Sequence, residues 1–205
     1  MTYWISEKQV DDSNKDQNNA NSPTSSSEVK GTNNRVYFYS YVEDKSILKF
    51  QEALDAATNR VLNYAVTNHT EPAPVYIHIN SGGGSLFAGF AAMDIIERCP
   101  APTVSIVEGR AASAATLMSV AANKRVITPH SFMLIHQLSS GMWGTYENFK
   151  DHRENIEREM DMIRNVYLEK TSLSKKMLNE LLKRDLYFPP SKCIKMGLVD
   201  EIYRG

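Results

Sequence analysis

Twice in succession the chain passes from a short β-branched run to a glycine-bearing turn and then to a helical stripe, and this constrains the fold more than any other feature. Val75 to Ile79 reads as a strand, Asn80 to Ser85 as a glycine turn and Leu86 to Arg98 as a helix. Thr103 to Val107 repeats the pattern, followed by Gly109 and an alanine-rich helix through about Ala122. A strand that feeds a helix must return to its sheet by a crossover. Two such units in series therefore predict an α/β architecture, a mainly parallel sheet covered by helices.

The flanking segments fit that plan. Val36 to Tyr39 reads as a strand, and from Ser46 the apolar residues Ile47, Phe50, Leu54, Ala57, Val61 and Ala65 recur every three or four positions, the stripe of an amphipathic helix. Pro72 and Pro74 punctuate a loop, and further strands are expected at Arg125 to Ile127 and at Phe132 to Gln137. A long helix is expected from Tyr146 to Lys170, with Phe149, Ile156, Met160, Ile163 and Tyr167 on one stripe and its charged face in solvent. Ser174 is placed to cap a last helix, and the chain closes with Gly197 to Tyr203.

Residues 1–34 differ in kind: the stretch from Asp11 to Ser27 is almost entirely polar and cannot bury enough surface to offset its ordering entropy. They are read as a disordered tail, with a processed propeptide as the alternative, and residues 35–205 as one folded domain. At 205 residues and 42% hydrophobic content, one sizeable core is the expectation.

Lys and Arg number 23 against 24 Asp and Glu, which leaves no basic footprint for nucleic acid or an anionic membrane. No run approaches the roughly 18 apolar residues of a membrane span. Cys99 and Cys193 stand far apart with no CxxC spacing, so neither a disulfide framework nor a metal site is expected, and a reducing cytoplasm is the expected location; no cofactor is expected either.

Three segments could carry chemistry. Asn80-Ser81-Gly82-Gly83-Gly84 lies between a strand and a helix, where backbone N–H groups and a helix N-terminus suit an oxyanion; a plain tight turn would read the same, and no phosphate-loop Lys follows. Gly109 to Ala115 places Ser113 just inside a helix among small neighbours, an arrangement that close helix packing alone would also produce. His136 ends the apolar run Phe132 to Ile135, where it is either a satisfied core histidine or the base for a nucleophile on the neighbouring element.

Taken with Arg184 to Phe188 and Met196 to Asp200, these segments resemble the ClpP family, the proteolytic subunit of the Clp proteases, from about Arg35 to Ile202. The resemblance implies a ClpP/crotonase-like fold with a protruding handle strand and long helix, and a serine endopeptidase in which Ser113, within Gly-x-Ala-Ala-Ser, is the nucleophile. His136, within Ile-His-Gln, is then the base and Asp185 the third member, since it precedes the Gly-Leu-x-Asp ending by the family's fixed stretch, whereas Asp200 belongs to that ending. The N–H groups of Gly83 and Ala114 are implied as the oxyanion hole. Ser139, Ser140, Gly141 and Met142, within the handle-strand stretch Ser139 to Gly144, are implied to bind substrate backbone. The family also implies two stacked heptameric rings, a tetradecamer, that enclose the sites and admit unfolded or small polypeptides.

The chain departs from the family pattern at several points. Gly82 and Leu138 stand where proline is usual, which predicts looser loops, and the interval from Ser113 to His136 is two residues shorter, a difference assigned to the turn around Asn123. Residues 1–34 have no match to the family's axial gate. The strand that helps form the docking site for an AAA+ unfoldase carries Tyr76 but has His78 at its second aromatic position, so these departures weigh against such a partner. The rival readings are a specialised processing protease without an ATPase, a catalytically silent ring subunit, and a crotonase-type enzyme that holds acyl-CoA thioesters; the Ser, His, Asp register argues against the last.

Overall fold

The computed structural model describes residues 28–205, and the polar stretch from Asp11 to Ser27 lies outside them. The order is β1 (Glu28–Thr32), β2 (Arg35–Tyr39), α1 (Asp44–Asn68), β3 (Val75–Ser81), α2 (Leu86–Glu97), β4 (Thr103–Ala112), α3 (Ala114–Ala121), β5 (Lys124–Ile127), β6 (Phe132–Leu134), α4 (Tyr146–Lys170), α5 (Lys175–Leu182), α6 (Pro190–Lys195) and β7 (Glu201–Ile202). The strands form one sheet in the order β1-β2-β3-β4-β5-β7, with β6 joining β4. All pairings are parallel except that of β1 with β2. The expected mainly parallel sheet covered by helices is what the chain forms.

The order begins earlier than Arg35. Glu28 to Thr32 pairs antiparallel with β2 across a turn at Asn33, whose φ of 54° is a left-handed conformation that asparagine tolerates. Val29 packs on the core, and a β-carbon at Gly31 would sit 3.4 Å from that of Ala53, so this strand is held by the ladder and by close approach to α1 instead of by its own apolar content. Residues 28–34 therefore do not belong to the tail assigned to residues 1–34, and the rest of that assignment lies outside the described residues.

The α1 stripe is buried as expected, and the helix starts slightly before it because Glu43 and Ser46 form a reciprocal capping box. Phe50 meets Phe38 of β2 edge to face with ring centroids 5.8 Å apart, both fully buried. The α4 stripe is buried only in its C-terminal half, at Met160, Ile163 and Tyr167, whereas Phe149 is exposed.

Strand β4 departs most from expectation, because it continues past Gly109 to Ala112. Val104 to Val107 pair with β5, and Arg110 to Ala112 pair with β6 on the same edge. Gly109, at φ 73°, is the joint between the halves, and a β-carbon there would lie 3.2 Å from the Asn80 side chain. Strand β6 is correspondingly shorter than expected and stops at Leu134. The implied handle stretch, Ser139 to Gly144, forms no strand: among the described residues it has no ladder partner, and none of them lies within 4 Å of where a β-carbon at Gly141 would sit. Helix α6, opened by Pro190 at its first turn, has no counterpart in the sequence reading.

Replacing Phe50 with alanine leaves a void against Phe38 at the centre of this packing. The expected loss is about 3–5 kcal/mol of unfolding free energy, measured by urea denaturation.

Candidate active site

The parallel register carries the ends of β3, β4 and β6 to one region of the molecule. After Ser81 the chain turns through Gly83 (φ 94°) and Gly84 (φ 153°). A β-carbon at Gly83 would lie 2.6 Å from the Ala112 carbonyl oxygen and 2.7 Å from Ser113 Cβ; one at Gly84 would lie 2.2 Å from the Val42 carbonyl oxygen. Only glycine permits the turn to press against both neighbours. Val42 N–H donates to the Gly83 carbonyl at 2.9 Å, Ser85 N–H donates to the Val42 carbonyl at 2.8 Å, and Ser85 caps α2 through Ala88 N–H. The turn with Gly82 in place of proline is held by these hydrogen bonds on its Gly83–Ser85 side.

Ser113 is not inside the helix but is the residue before it. As the N-cap of α3, at φ 54° and ψ −128°, it occupies a sparsely populated backbone region that costs about 1–3 kcal/mol unless its surroundings impose it. Its N–H donates to the Leu134 carbonyl at 2.8 Å, while its own carbonyl accepts from the N–H and hydroxyl of Thr116 at 3.0 and 2.6 Å. The strain falls at the corner between β4 and α3. Ala114 is the first residue of α3, so its N–H is among the donors that a helix start leaves without an intrahelical acceptor. The Gly83 N–H is in use, donating to the buried Ser81 hydroxyl at 3.1 Å.

His136 lies two residues beyond β6. Its Nδ1 is 3.3 Å from Asp185 Oδ1, the imidazole being 26% exposed and the carboxylate 82%. The loop that carries Asp185 is tied to the His136 segment on both sides: Gln137 N–H donates to the Leu182 carbonyl at 2.8 Å, and Met133 and Phe188 exchange backbone hydrogen bonds of 3.1 and 2.7 Å. Those ties place Asp185 opposite His136 although 49 positions separate them in the sequence. Cys193 anchors the same loop from beneath, its thiol donating to the Phe188 carbonyl at 3.3 Å; burial pushes that thiol up to about 11. Asp200 is committed elsewhere, to Arg125 at 2.6 Å.

Ser113, Ala114, His136 and Ser139 line one cavity of about 190 Å³, whose apolar wall includes Leu86, Leu117, Leu138 and Ile163. Leu138, the other proline position, donates its N–H to Met160 Sδ at 3.1 Å. Among the described residues no hydrogen bond joins the Ser113 hydroxyl to His136. Ser140 is engaged with His152 at 3.2 Å, and Gly141 and Met142 do not reach the cavity. No cluster of three or more potential metal ligands occurs among the described residues.

Three further residues meet this site without having been singled out. Ser81 accepts the Gly83 N–H, Thr116 holds the Ser113 carbonyl, and Tyr167, read as one member of a core stripe, lines the cavity with its hydroxyl 2.5 Å from Thr116 Oγ1. Burial pushes the Tyr167 phenol up to about 12.

The mainly parallel sheet and the helices that cover it have a structural counterpart. A ClpP1 mutant from Listeria monocytogenes superimposes with a TM-score of 0.71 at 22% identity, over 84% of this chain and 92% of that one, which establishes the fold. The Clp protease family model matches residues 30–205. The ATP-dependent Clp protease proteolytic subunit 1 of Chlamydia abortus is 34% identical over 172 residues, 82% of this chain and 85% of the relative. Subunit 2 of Treponema denticola is 34% identical over 134 residues, 64% of this chain and 67% of the relative. The chain belongs to the Clp protease family.

Gly83→Ala should cost about 1–3 kcal/mol in urea denaturation, because its β-carbon meets backbone at a positive φ. Gly82→Ala should stay within about 1 kcal/mol, since the nearest group to its β-carbon is the movable Arg110 guanidinium at 3.3 Å.

Proposed function

We propose that the protein is a serine endopeptidase in which Ser113, His136 and Asp185 act together. The observation that carries this reading is the His136–Asp185 pair at 3.3 Å, beside the cavity that the strained Ser113 also lines. Asp185 holds the Nδ1–H tautomer of His136 and offsets the charge of its cation. His136 Nε2 takes the Ser113 proton as the hydroxyl attacks a peptide carbonyl, then returns it to the leaving amine. Water, deprotonated by the same histidine, releases the acyl group. Ala114 N–H presents a donor to the oxyanion at the start of α3, where the helix dipole adds to it. Gly83 N–H contributes by exchanging its Ser81 acceptor for the substrate oxygen.

The apolar cavity wall suits an uncharged side chain next to the scissile bond, and the Ser139–Met142 stretch, exposed from Ser139 to Gly141, suits pairing with an extended substrate backbone, which tolerates many sequences. Enclosure in stacked heptameric rings, a cytoplasmic tetradecamer, would confine such a permissive site to unfolded or small polypeptides. The relatives' designation as ATP-dependent supports an unfoldase partner. Against it, His78 is buried between Arg35 and Glu108 at 2.8 and 2.9 Å and stacks on Tyr37, which makes this part of the sheet face polar where an apolar contact would be required. The reading without an ATPase, a specialised processing protease, is favoured by that same cluster. A silent ring subunit is favoured by the missing Ser113–His136 hydrogen bond and the occupied Gly83 N–H.

A fluorophosphonate probe, located by peptide mass spectrometry, is expected to modify Ser113, with the adduct lost in Ser113→Ala and His136→Ala. Asp185→Asn should slow peptide hydrolysis by about 10²- to 10⁴-fold. An assembled ring that takes up no probe would establish the silent subunit instead.

A further inference from the structure

The peptide group that joins Ser113 to Ala114 has two ends with different partners. Its N–H is the proposed oxyanion donor, and its carbonyl, on the opposite side of the same plane, is the one that Thr116 grips through both N–H and hydroxyl. Because a peptide unit is planar, whatever fixes the tilt of the carbonyl also fixes the direction of the N–H. A threonine hydroxyl has one proton, and here it is committed to the Ser113 carbonyl. The Tyr167 hydroxyl, 2.5 Å from Thr116 Oγ1, must then be the donor in that contact. Both residues are buried, Thr116 completely and Tyr167 to 3% exposure, so water does not compete for these bonds.

We propose that Tyr167 is a positioning residue for acyl transfer: through Thr116 it sets the tilt of the Ser113–Ala114 peptide and so aims the Ala114 N–H at the developing oxyanion. The inference rests on the peptidase reading above. The ring of Tyr167 fills space that phenylalanine would fill equally well; what phenylalanine lacks is the donated proton. With the phenol pushed up to about 12, that proton stays in place across the pH range in which an imidazole base works. The connection also runs between elements, since Tyr167 belongs to α4 and Ser113 to the β4–α3 corner.

The test uses the full chain with Tyr167→Phe, Thr116→Val, Thr116→Ser and the Tyr167→Phe/Thr116→Val double variant. Each is assayed on a fluorogenic peptide and against a peptide boronate, whose tetrahedral serine adduct places an oxygen where the oxyanion forms. Tyr167→Phe is expected to lower kcat about tenfold with KM within about twofold, short of the 10²- to 10³-fold cost of deleting an oxyanion donor outright. Boronate affinity should fall by the same factor. Thr116→Val should match that loss, the double variant should add little, and Thr116→Ser should recover most of it. Wild-type kcat and boronate affinity in Tyr167→Phe would overturn the proposal, as would a loss confined to KM. Should Tyr167→Phe fail to fold, the Thr116→Val and Thr116→Ser pair decides on the same criteria. Fluorophosphonate labelling of wild-type Ser113 separates the two failures: without it the peptidase reading falls and takes this inference with it.

Discussion

Everything at the candidate site depends on one strand having two partners along the same edge. Strand β4 runs through the middle of the sheet, but its first half is bonded to β5 and its second half to β6. The change of partner falls at Gly109, opposite Asn80, where the register with β3 also shifts. Without that joint β4 would end beside β5, and the chain leaving it would not meet the end of β6. With it, the end of β4 is flanked by the β3 glycine turn on one side and by the segment leading to His136 on the other. The sheet itself thus brings together groups that are far apart in the sequence.

The large periodic elements were legible in the residues. The α1 stripe and the long helix from Tyr146 to Lys170 are found where the apolar spacing puts them, and Ser174 caps α5 through the Met177 N–H. What escaped lacks periodicity. Strand β1 has one partly buried apolar residue and owes its order to the ladder with β2, which no local pattern announces. Helix α6 is six residues long, too short for a stripe, although Pro189-Pro190 marked its start. The length of β4 was underestimated because Gly109 reads as a strand terminator, whereas here it is a joint within the strand.

The reach of sequence into the site was uneven for the same reason. Asp185 is an exposed residue in a loop, and nothing local distinguishes it from Asp200; the family resemblance selected it, and the backbone ties at Leu182 and Phe188 explain how it comes to face His136. Tyr167 was legible only as a stripe member, because helical spacing is identical for a residue that fills the core and for one that lines a cavity. Thr116 carried no signal beyond standing three positions after a serine, a spacing that becomes informative only once that serine is known to sit at a helix start.

Cys193 gives this geometry a consequence for oxidative damage. A thiol that is fully buried and held protonated is a poor target for peroxide, since thiolate character and access govern oxidation. Its hydrogen bond runs to the Phe188 carbonyl, three residues from Asp185 on the same loop. Oxidation of this sulfur, once it occurred, would remove the S–H donor and with it one anchor of the loop that holds the carboxylate against the imidazole.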